Sequence, residues 1–235
     1  MQIAPVRSAA VPVATDDSLV AGLRLPSFAG LPTATTPGEA LKMLLGPPKP
    51  GSDVYRADMA VVQGAKQLRT PEGDAWARRM AKDGQGSMWF DLAARLRERT
   101  GKVQGWLDTA LVASTLASTA SVAFLAKRVY DRERPYEVDP SLDPPVKLPH
   151  GSSYPSGHSS SAYAAARVIS VLEPTLAAEA YDLARQVAVS RVYAGVHFPS
   201  DVIAGALLGT AIGEAALRLT DQPRALDAAI AELVR

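Results

Sequence analysis

A chain of 235 residues with 47% hydrophobic side chains can bury one sizeable core, and a formal net charge of +1 without a long basic run excludes a general nucleic-acid surface. Cysteine is absent, which excludes disulfides and thiolate metal sites and leaves the redox compartment unread. Residues 1–20 lack the basic start and apolar run of a secretory signal, so the chain is expected to be either cytosolic or a processed form. Met1 ahead of a Pro- and Ala-rich stretch fits the second.

Residues 1–50 hold Pro5, Pro12, Pro26, Pro32, Pro37, Pro47, Pro48 and Pro50, which predict an irregular N-terminal segment with one short helix at 38–45. A helical domain is expected over 51–235. Its first helix is predicted at 53–69, with Ser52 or Asp53 as cap. A second follows at 71–82, opened by a Thr70 cap and Pro71 at the first helical position. Helices at 86–99 and 103–128 are split by Thr100-Gly101. Pro135, Pro140, Pro144, Pro145, Pro149 and Pro155 then predict a long loop over 131–155 with no regular helix. Lying between Arg134 and His158, that loop is read as an active-site wall. Helices are predicted at 157–172, 175–194 and 200–219, with a short one at 223–234. No strand pattern of convincing length occurs, so the fold class is all-α: a single compact multi-helix domain with a helical-bundle core. Two stretches are apolar enough to raise the question of a bilayer. Asp108 interrupts Val103–Ala126 and Ser and Thr dilute it, while Val202–Leu217 is short and rich in Ala and Gly. Both are read as Ala-rich core helices, and no transmembrane anchor is expected.

Three segments hold the chemistry. In the first, Lys127 lies near a predicted helix end and Arg134-Pro135 just past it; arginine's planar fork meets two phosphate oxygens at once, and lysine adds a point charge. Basic residues there could equally complement the helix dipole, and Arg128 and Arg132 are left with that role. In the second, Ser156 can cap a helix whose first N–H groups would face an anion, Gly157 lets the backbone approach a ligand, and His158 sits in the first turn. In the third, Arg191 ends one helix, His197 precedes the next, and Asp201 falls in its first turn. Asp201 can accept from the His197 ring, fixing its tautomer and leaving the other nitrogen as a nucleophile; a purely structural His–Asp contact is the alternative. Two of the chain's three histidines lie in these segments. His150 could line the entrance but reads as a solvent-exposed loop residue. No cluster with metal-ligand spacing occurs, and no cofactor is expected.

Together the segments resemble the type 2 phosphatidic acid phosphatase superfamily, shared with vanadium-dependent haloperoxidases. Lys127 with Arg134-Pro135 matches its first motif, Pro155-Ser156-Gly157-His158 its second, and Ser190-Arg191 with His197 and Asp201 its third. The run Gly151-Ser152-Ser153-Tyr154-Pro155-Ser156-Gly157-His158 is similar to that of the bacterial class A non-specific acid phosphatases. It departs in having two serines before the tyrosine and Ser159 where that subgroup has threonine. The early Leu44-Leu45-Gly46-Pro47-Pro48-Lys49-Pro50 segment also looks like that subgroup.

The resemblance implies a metal-independent phosphomonoesterase working through a phosphohistidine. Lys127, Arg134 and Arg191 would neutralise the phosphoryl oxygens, with Ser156 and the Gly157 N–H adding hydrogen bonds. His197 would attack phosphorus, His158 would protonate the leaving alcohol and then activate water, and Asp201 would orient His197. It further implies small-molecule phosphate monoesters as substrates, an acidic optimum, vanadate sensitivity, periplasmic or secreted residence and homo-oligomerisation. The rivals are a vanadate-dependent haloperoxidase using the same residues, a membrane lipid phosphatase, and a non-enzymatic anion-binding module.

Overall fold

The computed structural model describes residues 46–100 and 102–233. The irregular segment read over 1–50, with its short helix at 38–45, lies outside the described residues except for 46–50. The expected all-α class holds: every regular element among the described residues is helical. The helices are α1 Asp53–Gln67, α2 Pro71–Asp83, α3 Ser87–Thr100, α4 Lys102–Val129, α5 Pro135–Val138, α6 Gly157–Leu172, α7 Ala177–Tyr193 and α8 Pro199–Leu233. Single 3-10 turns at Pro140–Leu142 and Pro174–Leu176 complete the set.

The caps follow the local chemistry. Ser52 Oγ accepts the Tyr55 N–H at 3.3 Å, and Thr70 Oγ1 accepts the Gly73 N–H at 3.1 Å with Pro71 at the first helical position. Two expectations fail, each at a proline. The 131–155 stretch contains the one-turn helix α5, because Pro135 begins a helix rather than interrupting one. Glu137 Oε2 completes that turn by accepting the Arg134 N–H at 2.7 Å. The break expected between 219 and 223 is absent, and α8 runs on through Pro223. A proline removes one hydrogen bond and bends the axis, and the helix can continue past it.

Helix α6 is the central element. Its Ala162, Ala165, Ala166, Val168 and Ile169 are buried against Trp89 and Leu92 of α3, Val112 and Leu116 of α4, and Ala180, Ala184 and Val187 of α7. Its contact with α8 is backbone against backbone. A Cβ added at Gly205 would lie 2.5 Å from the Ser156 carbonyl oxygen, at Gly209 2.0 Å from that of Ser160, and at Gly213 2.8 Å from that of Ala164. Three glycines one turn apart thus seat α8 directly on α6, which sets the first turns of the two helices side by side. Gly209→Ala should therefore force the helices apart at a cost of about 1–3 kcal/mol. Gly64→Ala, on α1 with nothing within 4 Å of the added Cβ, should instead stabilise by about 0.5–1 kcal/mol. Thermal unfolding of the two variants checks both signs.

The expected absence of a transmembrane anchor is overturned. Val103–Val129 and Pro199–Thr220, of 27 and 22 residues, are long and apolar enough to cross a bilayer, and only 28% of the most apolar window of each is buried. A soluble core helix would be mostly covered by protein. On α4, Trp106, Leu107, Phe124, Leu125 and Val129 are more than half exposed. The polar residues that argued against a span are turned inward or silenced. Asp108 is buried and accepts from Gln104 Nε2 at 2.7 Å. Thr109, Thr119 and Ser121 donate to the carbonyls of Gly105, Thr115 and Ala117 of their own helix at 2.7, 2.7 and 3.0 Å. A hydroxyl bonded to its own helix adds no unsatisfied donor to an apolar surface.

Candidate active site

The last turn of α4, the stretch before α5, and the first turns of α6 and α8 converge on one cluster. Lys127 Nζ donates to the Ser152 carbonyl at 2.6 Å and reaches that of Ser153 at 3.4 Å. Arg134, 2% exposed, spreads its guanidinium across the backbone carbonyls of residues 151, 152 and 196. Nε donates to Gly151 O at 2.9 Å, Nη2 to Ser152 O at 3.1 Å, and Nη1 to Val196 O at 2.9 Å.

Nη1 also lies 3.3 Å from His197 Nε2. A guanidinium can only donate, so Nε2 is the acceptor and the neutral ring holds its proton on Nδ1. Burial, and next the Arg134 charge, push the His197 pKa well below the usual imidazole range. The ring is thus neutral, with a lone pair at Nε2 beside a cation. Nδ1 faces Asp201 Oδ2 at 3.4 Å but makes no hydrogen bond, so the bond expected between them is not formed. Asp201 is held instead by the Phe198 N–H on Oδ2 at 2.9 Å and by Arg132 Nη1 on Oδ1 at 2.5 Å.

Ser156 caps α6, its Oγ accepting the Ser159 N–H at 3.4 Å, and its own N–H donates to the Asp201 carbonyl at 3.0 Å. That bond ties the starts of α6 and α8 together. At Gly157 an added Cβ would meet only the Gln85 side chain, at 3.8 Å, which is ordinary contact. Packing within the described chain therefore does not demand glycine there, whereas close approach of a ligand to the helix N-terminus would.

His158 Nε2 lies 3.1 Å from the Ala81 carbonyl, which can only accept, so Nε2 holds the proton and Nδ1 is the nitrogen left to take another. Burial, and then the Arg191 charge, push its pKa down to about 3. Arg191 donates Nε and Nη2 to Ser190 Oγ at 3.0 and 2.9 Å and Nη2 to the Ala77 carbonyl at 3.1 Å. Burial lowers its pKa to about 10, which leaves it charged at neutral pH.

Burial first and cation fields second hold His158 neutral, and an arriving dianion should reverse the second of these. Sulfate, whose charge is constant across this range, is expected to bind at pH 5 with uptake of about one proton per site as the His158 pKa rises. Calorimetry in buffers of different ionisation enthalpy reads this. His158→Ala should abolish the uptake, and equal uptake in that variant would assign it elsewhere.

All eight residues singled out from the sequence (Lys127, Arg134, Ser156, Gly157, His158, Arg191, His197 and Asp201) thus lie on elements that meet here. His150 is exposed in the 143–152 stretch, and Arg128 lies exposed over the Phe124 ring at 5.0 Å. Three contributors escaped the sequence. Helix α2 supplies carbonyls one turn apart, Ala77 and Ala81, that accept from Arg191 and His158, and a carbonyl leaves no trace in side-chain identity. Arg132, read only as a helix-dipole partner, is buried between Asp58 and Asp201. Asp58 is one of two acidic residues on an amphipathic helix, with no sequence signal to set it apart.

The PAP2 superfamily model matches residues 108–224. The decaprenylphosphoryl-5-phosphoribose phosphatase of Mycolicibacterium smegmatis is 35% identical over 163 residues, which are 66% of this chain and 84% of that protein. Its Mycobacterium tuberculosis counterpart is 38% identical over 108 residues, 44% of this chain, so the match spans only 56% of that relative's length. Among solved structures, a transmembrane PAP2 type phosphatidylglycerolphosphate phosphatase from Bacillus subtilis superposes with TM-score 0.56 at 22% identity, covering 78% of this chain and 92% of its own. Aquifex aeolicus LpxE gives 0.58 at 26%, covering 68% and 93%. A bacterial vanadium dependent iodoperoxidase gives 0.61 at 19%, covering 74% and 52%. These phosphatases stand on another branch than the class A acid phosphatases. With 84% of a 35%-identical relative covered and the family model matched over 108–224, the chain belongs to the PAP2 superfamily.

Proposed function

We propose that this protein is a membrane-associated phosphatase that hydrolyses phosphate monoesters on lipid-linked substrates through a phosphohistidine at His197. The observation that carries the lipid reading is where the two membrane-length helices end. Lys127 lies in the last turn of α4 and Asp201 in the first turn of α8, so both apolar helices terminate at the cluster. A site at the end of such helices lies at headgroup depth, where a lipid phosphate sits. The names of the relatives, decaprenylphosphoryl-5-phosphoribose phosphatase and phosphatidylglycerolphosphate phosphatase, support the same substrate class.

In the chemical step, Lys127, Arg134 and Arg191 neutralise the phosphoryl oxygens, and the N-terminus of α6 at Ser156 and Gly157 adds N–H donors. His197 Nε2 forms the bond to phosphorus as the P–O bond to the alcohol breaks. The His197 ring then becomes cationic, with Nδ1–H directed at Asp201. His158 takes up a proton when the dianionic ester binds and gives it to the departing alkoxide. Neutral again, it removes a proton from water, which attacks phosphorus and returns free His197 and inorganic phosphate. Charge neutralisation by side chains gives metal-independent turnover, since phosphoryl transfer needs positioning and charge stabilisation above all.

The run 151–158 favours a second reading, a broad-specificity acid phosphatase for water-soluble monoesters. One assay separates the two: turnover of short-chain phosphatidic acid in detergent micelles against p-nitrophenyl phosphate, across pH, with and without vanadate. A kcat/KM at least about tenfold higher on the lipid is expected, since each buried methylene is worth about 0.8 kcal/mol. Equal rates on both would remove the lipid reading. Halide oxidation after vanadate loading, with no ester hydrolysis, would remove the phosphatase reading altogether.

A further inference from the structure

Behind the His197–Asp201 pair lies a buried polar cluster with no place in the phosphate-handling set. Arg132 is its centre. Its Nη1 donates to Asp201 Oδ1 at 2.5 Å and to Ser200 Oγ at 2.7 Å, and its Nη2 donates to Asp58 Oδ2 at 2.8 Å. The guanidinium lies 4.1 Å over the Phe198 ring. Asp58, on α1, also accepts the Ser200 N–H on Oδ1 at 3.0 Å and the Ser200 hydroxyl on Oδ2. Asp58, Arg132, Ser200 and Asp201 are all buried, from 0 to 6% exposed. Three separate parts of the chain meet in it, and Asp58 lies before residues 108–224, the stretch matched to the family.

Charged groups are buried only when firmly paired, and each end of this cluster has a directional constraint. Asp201 has two oxygens. Oδ1 is committed to Arg132, and Oδ2 is held by the Phe198 N–H at 2.9 Å while facing His197 Nδ1 at 3.4 Å. The angle of the carboxylate towards the ring is thus set from behind by Arg132, and the place of Arg132 is set by Asp58 and Ser200. A phosphate-binding role does not suit Arg132, because its two terminal nitrogens are already committed to carboxylates and a hydroxyl.

We propose that Asp58 and Arg132 are positioning residues for His197, forming a relay Asp58–Arg132–Asp201 that orients the imidazole for attack. This rests on the phosphatase reading above. The relay acts on the transition state more than on substrate binding, so it predicts a loss in kcat rather than a rise in KM.

The test uses the purified full chain in detergent with short-chain phosphatidic acid, and active sites counted by vanadate titration. Asp58→Asn, which keeps size and one acceptor, is expected to lower kcat per vanadate-binding site about tenfold with KM and vanadate affinity within about twofold. In an Asp201→Asn background, adding Asp58→Asn should cost nothing further, because the relay acts only through Asp201. Unchanged kcat per site in Asp58→Asn, or losses that multiply in the double variant, would overturn the relay. Should Asp58→Asn fail to fold, Ser200→Ala removes one hydroxyl from the same cluster and should lower kcat about threefold; no loss there overturns it equally. Parental protein that binds vanadate without turning over any ester would refute the phosphatase reading and the relay with it, whereas an active parent with an indifferent Asp58→Asn refutes the relay alone.

Discussion

His197→Ala is expected to reduce kcat by roughly 10⁴–10⁶-fold, the scale of losing a covalent nucleophile. The expectation rests on one nitrogen. Arg134 Nη1, 3.3 Å away, can only donate, so Nε2 presents a lone pair beside a cation that would share the same phosphoryl group. Burial keeps the ring neutral, as a nucleophile must be. The fold should survive, because Arg134 keeps its bonds to the carbonyls of Gly151, Ser152 and Val196. The companion experiment is His158→Ala with labelled substrate. Without the proton carrier the second half-reaction slows, and an acid-labile phosphoryl group should accumulate on the peptide containing His197. Label on another residue, or parental turnover by His197→Ala, would sink the covalent route.

Arg134 ranks second. Loss of a guanidinium that clamps a transferring phosphoryl group is worth about 10³-fold or more in kcat. Here two roles are combined, because the same side chain satisfies three backbone carbonyls around the site. Arg134→Ala would leave buried acceptors unpaired at about 1–3 kcal/mol each, so unfolding would confuse the result. Arg134→Lys separates the roles: the charge stays and the planar fork goes. The expected outcome is a kcat/KM lower by about 10²–10³-fold with sulfate still bound, measured alongside the unfolding midpoint. If Arg134→Lys stays fully active, the bidentate geometry is irrelevant to the chemistry.

Much of the fold was legible in one dimension. Ser52, Thr70 with Pro71, and Ser156 announced helix starts because a capping hydroxyl needs only its own next three residues. The site segments were legible for a similar reason. Lys127 and Arg134, Ser156 to His158, and Arg191 to Asp201 each place their side chains at a helix end, and helix ends are set locally. What misled was proline. Pro135 starts α5 and Pro223 lies within α8, and the cost of a proline is decided by what surrounds the helix rather than by the residue itself.

The membrane question shows the boundary most clearly. Asp108 and the hydroxyls of α4 counted as polar in the sequence, yet Asp108 turns inward to Gln104 and the hydroxyls bond to their own helix. Direction, not identity, determines what a bilayer would meet. The sequence by itself determined an all-helical chain and the side chains that gather in one cationic cluster, because helix periodicity, capping and motif spacing are short-range. Only the tertiary structure decided three further matters. It joined Asp58 to Arg132 across 74 residues, aimed the α2 carbonyls at His158 and Arg191, and seated α8 on α6 through Gly205, Gly209 and Gly213. Those contacts depend on how helices pack and which faces remain uncovered, and no local rule encodes either.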